Sequence, residues 1–270
     1  MKPEILFPGV YKIHGQPYTR SLTPGFKVHG EKTIKTGGNE YRHWAPQHSK
    51  LSAAIVQGLK TFPFQAGSKI LYLGAAQGVT CSFISDVIGP RGEIFAVEIS
   101  KRALRDLIFV CEKRANIYPI LTDASQPQEY ASDVGQVDVV FEDVAAREQD
   151  DILARNAASC LKTGGYAMIA IKARSIDSAA NPDTIYEKVI AKIQNDPHAH
   201  LELVEKIRLD PYETDHMFAV FRKTANNLVK AIGMLGTASD AQMKEERQTF
   251  REIRKELNRG FEERQKQFQQ

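Results

Sequence analysis

The sequence predicts an α/β fold. A doubly wound, Rossmann-like and mostly parallel sheet of seven strands, the last antiparallel, follows a small antiparallel β unit and precedes a helical tail. Three observations lead there. Between residues 48 and 223, seven strand-like runs alternate with five amphipathic helix-like runs, the pattern of successive β-α-β units with right-handed crossovers. Two of the runs, "VDVVFEDV" and "YAMIAIKA", are continuously apolar, as strands covered by helices on both faces are. The last two strands are joined only by "DPYETD", too short for a crossover, so they pair antiparallel.

Taken in order, residues 1–47 form the small β unit: short alternating runs such as "GVYKIHG" and "FKVHGEKTIKTGG", closely punctuated by turn residues. Residues 48–223 form the α/β domain. Its strands are "KILYLG", "EIFAVEI", "IYPILTD", "VDVVFEDV", "YAMIAIKA", "LELVEKIRL" and "HMFAVFRK". Its helices are Ser49–Leu59, Val79–Ile88, Lys101–Arg114, Arg147–Leu161 and Pro182–Asn195. Residues 224–270 are dense in Glu, Lys, Arg and Gln. There Phe250, Ile253, Leu257, Phe261 and Phe268 fall near one face of an amphipathic helix, capped by Ser239 or Asp240 and interrupted at Gly260. A solvated charged tail is the alternative.

Bulk properties narrow the function. The 270 residues correspond to one or two domains, with 42% hydrophobic and 26% charged residues, ordinary for a folded soluble protein. No stretch approaches the roughly 18 uninterrupted apolar residues of a membrane span. The N-terminus has no secretory apolar region. Cys81, Cys111 and Cys160 are widely spaced within apolar patterns, which predicts buried free thiols in a reducing compartment. His198 and His200 have no matching carboxylate or cysteine pattern, so no metal site is expected. The net charge of +3 permits a nucleic-acid partner without demanding one.

In an open α/β sheet, ligands bind beyond the carboxyl ends of the strands. Five consecutive strands here end in a glycine turn (Gly74 to Gly78), Glu98, Asp123, Asp143 and Lys172. Buried charges are costly unless paired, so packing alone does not account for such a rim. Glu98 lies about 20 residues beyond the turn, the distance at which a carboxylate reaches ribose hydroxyls. Asp123 suits the exocyclic amine of adenine. The turn, "GAAQG", lacks the close G-x-G step that admits a pyrophosphate. An adenosine without one, S-adenosylmethionine above all, fits better than NAD, although another nucleotide remains an alternative.

These residues carry a resemblance. "ILYLGAAQGVTCSFISDVIGPRGEIFAVEIS" with the following "RDL", then "VDVVFEDVA", "CLKTGGYAMIAIKA", "SIDS" and "LDPYETDH" in the same order, resemble fibrillarin, the guide-RNA-directed ribose 2′-O-methyltransferase. "EYRHWAPQHSKLSAAI" resembles the stretch joining that family's β domain to its methyltransferase domain. The resemblance spans about residues 5–223 and excludes the tail. Without a glycine/arginine-rich arm, the chain resembles the archaeal-type form. That form implies a cytoplasmic protein, nucleolar were the source eukaryotic.

The resemblance implies a class I S-adenosylmethionine-dependent methyltransferase that modifies rRNA and possibly tRNA within a box C/D ribonucleoprotein. Its implied partners are a box C/D guide RNA, a Nop-type scaffold protein and a kink-turn-binding ribosomal-type protein. The implied cofactor residues are Gly74, Ala75, Ala76, Gly78, Val79, Thr80, Glu98, Ile99, Asp123, Ala124 and Asp143. The implied catalytic group is Lys50, Asp143, Lys172 and His216. Lys172 would orient the acceptor hydroxyl, stabilise its developing charge, or take its proton. Asp143 would hold that lysine, with Lys50 and His216 beside the acceptor. Basic residues near the rim, Arg42, His43, Lys50, Lys172 and Arg174, are candidates for RNA phosphates.

The chain departs from the family at four positions. Val79 replaces a threonine, Gln77 a serine, His48 an arginine and Ala146 a glutamine expected near the cofactor. The changes at 79 and 146 each remove about one hydrogen bond, worth roughly 0.5–1.5 kcal/mol. Each site residue also has a plain structural alternative. In it Lys172 simply closes a strand, Asp143 caps the next helix, Lys50 lies solvated and His216 fills a turn. At the level of the whole chain, the alternatives are a non-catalytic scaffold subunit of the same shape and a stand-alone methyltransferase acting on a protein side chain.

Overall fold

A computed structural model describes residues 3–225. The expected tail helix beginning at Ser239 or Asp240 lies outside the described residues.

Five short strands, β1 (Glu4–Phe7), β2 (Val10–Ile13), β3 (Gln16–Arg20), β4 (Thr33–Thr36) and β5 (Asn39–His43), form an antiparallel sheet in the order β1-β2-β3-β5-β4. Ile13, Tyr18 and Tyr41 pack on it as a small apolar cluster. Val10 and Trp44 instead enter the larger core beneath the second sheet, where Trp44 stacks on Phe83.

The second sheet is built from β6 (Lys69–Leu73), β7 (Glu93–Glu98), β8 (Ile117–Leu121), β9 (Val137–Glu142), β10 (Leu161–Lys172), β11 (Leu201–Arg208) and β12 (His216–Lys223). Their order is β11-β12-β10-β9-β6-β7-β8. Strands β6 to β10 run parallel, whereas β12 lies antiparallel between β10 and β11. The order reverses between β6 and β9, so the crevice opens beyond their carboxyl ends.

Alternation along the strands divides the core in two. Ile70, Tyr72, Val139 and Phe141 face one side, under α1 (Lys50–Val56), α2 (Val79–Ile88) and α3 (Lys101–Lys113). Leu71, Leu73 and Val140 face the other. There they lie under α4 (Ala131–Val134), α5 (Gln149–Cys160) and α7 (Pro182–Asn195), with the short α6 (Ala173–Ile176) following β10.

Several boundaries differ from expectation. Helix α1 stops three residues early, and Ser49 is its cap, accepting the Ser52 N–H at 3.4 Å. Strand β10 starts at Leu161 instead of Tyr166, because Leu161 already pairs with Val137 before the register shifts across the glycines. The short helices α4 and α6 had no periodic signal to reveal them. Cys81 and Cys160 are buried free thiols as expected, but Cys111 is half-exposed. Among the described residues, no helix is long and apolar enough to cross a membrane, and no group of potential ligands is arranged to hold a metal ion.

Candidate functional site

The four strand-end groups meet where the topology predicts. Asp143 follows β9, and its N–H still bonds to the Leu73 carbonyl at 2.9 Å. Its carboxylate lies between two lysines. Lys172 Nζ is 2.8 Å from one carboxylate oxygen and also donates to the Asp143 carbonyl at 2.6 Å. Lys50 Nζ lies 3.3 Å from the same carboxylate oxygen, and 3.8 Å from Glu213. A cation in the first turn of a helix opposes the dipole, and these two carboxylates offset that cost. Glu213 gave no signal in the sequence.

His216 is the first residue of β12, and the antiparallel register sets it directly opposite Lys172. Its Nδ1 lies 2.8 Å from the Thr214 carbonyl. A carbonyl only accepts, so Nδ1 carries a proton and donates it. Lys50, Asp143, Lys172 and His216 are thus neighbours.

Beside them opens a cavity of about 500 Å³, within the range of small-molecule sites. Gly74, Ala76, Glu98, Ile99, Asp123, Ala124, Asp143 and Lys172 line it. Val97, Thr122, Val144, Ala145 and Ile152 also line it, and they carry no signal in the sequence because apolar or small lining residues look like any others. Ala75, Gly78, Val79 and Thr80 are not among its lining residues. Thr80 donates to the Ser49 hydroxyl at 3.1 Å, and Gly78 sits so close to Leu107 that an added Cβ would lie 2.7 Å from its side chain.

The turn after β6 depends on its glycine. Gly74 has φ +79°, and a Cβ there would lie 3.0 Å from the backbone of Asp143 and Val144. Glu98 braces the same turn: one carboxylate oxygen accepts the Ala76 N–H and the other the Ser100 N–H, each at 2.8 Å. Ala76 is held at φ +47°. A carboxylate has about four acceptor positions, so Glu98 keeps capacity for two hydroxyl donors at the cavity wall. A ribose diol would use both. Ile99, Ala124 and Ile152 offer the apolar surface a purine needs, and Asp123 the acceptor for its amine. The residues present therefore fit an adenosine-bearing ligand such as S-adenosylmethionine.

Comparison with known proteins now decides the family. The fibrillarin family model matches residues 1–225. The chain belongs to the fibrillarin family. A fibrillarin-like rRNA/tRNA 2′-O-methyltransferase from Pyrococcus horikoshii is 48% identical over 223 residues, covering 81% of this chain and 96% of the relative. A crystal structure of Aeropyrum pernix fibrillarin with natively bound S-adenosyl-L-methionine shares 42% identity with a TM-score of 0.72, covering 78% of this chain and 92% of that one. The fibrillarin of a fibrillarin/Nop5p complex shares 35% identity with a TM-score of 0.74, covering 82% and 100%. The expected fold and family both hold.

One group of expected site residues moves in this fibrillarin-family structure. Arg42 is not on the rim. It is fully buried between the first sheet and α2, bonded to Glu31 at 2.6 Å, to Asp86 at 2.7 Å and to the Ser82 hydroxyl at 2.9 Å. Asp86 also binds Arg114 at 2.6 Å and the Thr19 hydroxyl at 2.7 Å. A guanidinium without exposed surface cannot meet an RNA phosphate, so Arg42 is an internal tie. His43 packs against Tyr18, and burial, with the charges of Lys32, His29 and His48, lowers its pKa. It too is a poor phosphate ligand. Arg174 is half-exposed, paired to Asp215 at 2.8 Å, and remains on the rim.

Proposed function

We propose that this protein transfers the methyl group of S-adenosylmethionine to a ribose 2′-hydroxyl of rRNA or tRNA, as the catalytic subunit of a cytoplasmic box C/D-type ribonucleoprotein. One observation carries the reading: Asp143 and Lys172 line a cavity that also presents the Glu98 carboxylate, with Lys50 paired to Asp143 and His216 opposite Lys172 beside them.

The donor, when bound, supplies a methyl group already activated on a sulfonium. What the chain contributes is positioning and charge. Glu98 and Asp123 hold the adenosine end. Lys172, paired with Asp143 at 2.8 Å, faces the place where the ribose oxygen becomes negative and stabilises that charge. Asp143 balances the two lysines, so the pocket does not repel a cationic donor. His216, directly opposite Lys172 on β12, adds a polar ring beside the same hydroxyl. Arg174 and Lys50 are suited to phosphates flanking the acceptor. Such contacts position RNA without reading its sequence, which suits a protein whose target is selected by a guide strand. The complex of a 35% identical fibrillarin with Nop5p supports a Nop-type scaffold as partner. A guide RNA and a kink-turn-binding protein complete the proposed particle.

The test is transfer of tritiated methyl from S-adenosylmethionine to a guide-matched RNA in the presence of scaffold partners. Wild type should label the RNA. A 2′-deoxy target nucleotide should abolish labelling, and Lys172→Ala and Asp143→Ala should each lower the rate by about 10²-fold or more. Equal labelling of the deoxy target would refute ribose as the acceptor.

A further inference from the structure

Gln149 is the first residue of α5 and is fully buried, yet both ends of its amide are used. Its Oε1 accepts the backbone N–H of Lys172 at 3.0 Å, and its Nε2 donates to the Ala146 carbonyl at 2.9 Å. The two partners fix the orientation of the amide, since an N–H must meet the oxygen and a carbonyl the nitrogen.

The consequence lies in what these bonds join. Asp143, Val144, Ala145 and Ala146 are consecutive and all line the cavity. The Lys172 ammonium grips this wall at its first residue, through the Asp143 carbonyl and carboxylate. Gln149 grips it at its last, through Ala146, and then returns to the backbone of Lys172 itself. The wall and the lysine thus form a closed ring of contacts: Asp143, Ala146, Gln149, Lys172 and back to Asp143. Ala146 is held through its main chain by the amide three residues on.

We propose that Gln149 is a positioning residue that clamps the cofactor-side wall 143–146 to Lys172, setting both the shape of the donor pocket and the placement of the ammonium. It touches neither substrate and acts through those two elements. The inference rests on the methyl-transfer reading above.

The test uses the full chain with its RNP partners and two variants. Gln149→Met keeps the volume and removes both bonds. Gln149→Glu keeps an acceptor for the Lys172 N–H. In Gln149→Met, kcat should fall roughly 10- to 100-fold, the usual consequence of a small misplacement of a catalytic group. Its Kd for S-adenosylmethionine, measured by calorimetry without RNA, should rise about 3- to 10-fold, the worth of one hydrogen bond to the wall. The KM for RNA should stay unchanged. Gln149→Glu should recover kcat at least severalfold over Gln149→Met. A purely structural role would lower Tm but leave kcat and Kd at wild-type values well below the melting range, and that result overturns the clamp. If Gln149→Met does not fold, Gln149→Asn, one methylene too short to span both partners, is measured against the same outcomes. Wild type that binds no S-adenosylmethionine would overturn the methyl-transfer reading; an active wild type with unaffected variants overturns the clamp alone.

Discussion

Replacing Arg42 with methionine should unfold the protein more readily and leave its intrinsic RNA contacts alone. The guanidinium bonds to Glu31 and Asp86, and all three side chains are buried. Removing it would not affect the two carboxylates equally. Asp86 retains Arg114 at 2.6 Å, the Thr19 hydroxyl at 2.7 Å and the Leu22 N–H at 2.9 Å. Glu31 retains the backbone N–H groups of Val28 at 3.3 Å and His29 at 3.0 Å, with the His29 ring at 3.9 Å. Most of the cost therefore falls on Glu31. Breaking a buried pair from one side costs about 3–5 kcal/mol, a large share of a typical stability of about 5–15 kcal/mol. At about 2–4 °C per kcal/mol for a chain of this size, Tm should drop by roughly 10 °C. Urea unfolding and calorimetry read the loss. Arg42→Met/Glu31→Gln should regain part of it, because the stranded charge is gone. A loss under about 1 kcal/mol, or weakened RNA binding at unchanged stability, would refute the assignment of Arg42 to the interior.

Other perturbations have defined outcomes. Burial opposes ionisation of Glu31, but the Arg42 charge and the backbone N–H of His29 hold its pKa down, from the ordinary 4.5 to about 2. The folded state therefore releases this proton more readily than the unfolded chain. About 3 kcal/mol of stability should be present above pH 5 and lost as the pH falls toward 2; acid titration of unfolding in wild type and Glu31→Gln measures it. Glu142, buried beneath the site with no hydrogen-bond partner for either carboxylate oxygen, has its pKa pushed well up by burial, against the Lys172 charge and with those of Asp150 and Asp143. Folded protein keeps a proton that the unfolded chain releases above its ordinary 4.5, so wild type loses stability as pH rises from there. Glu142→Gln should be the more stable protein at pH 8 and show no advantage at pH 4; the opposite order would show an ionised Glu142. Gly74→Ala should cost about 1–2 kcal/mol for its left-handed backbone and weaken S-adenosylmethionine binding severalfold by pressing on the Asp143–Val144 wall, which unchanged calorimetric affinity would contradict.

The strands and the helices flanking the glycine turn were legible because alternation and continuous apolar runs follow directly from which faces are buried. So were Glu98, Asp123, Asp143 and Lys172, since a charge ending an apolar strand is conspicuous. Arg42 was misread for a physical reason. Its partners come from two segments distant from it in the chain, Glu31 before β4, and Ser82 and Asp86 on α2, and only the packed fold brings them together. Seen in the chain, an arginine beside a histidine and a tryptophan looks like surface. Gln149 was invisible for a similar reason: a polar residue opening a helix is ordinary, and its meaning lies in bonds to Ala146 and Lys172. Glu213 sits in a loop, where no periodicity points inward.

The reversed strand β12 has a consequence for biosynthesis. A parallel strand delivers its last residue to the rim, but β12 delivers its first, and His216 arrives with the loop that carries Glu213. During translation Lys50, Asp143 and Lys172 exist well before these two residues do. Until β12 slides between β10 and β11, β10 has an unpaired edge and Lys172 has no cross-strand neighbour. A partly made chain therefore holds the cavity residues up to Lys172 without His216 and Glu213 beside them. Completion of the sheet and completion of the cluster of Lys50, Asp143, Lys172 and His216 are one event, so under the proposed function the onset of activity is tied to the last pairing of the sheet.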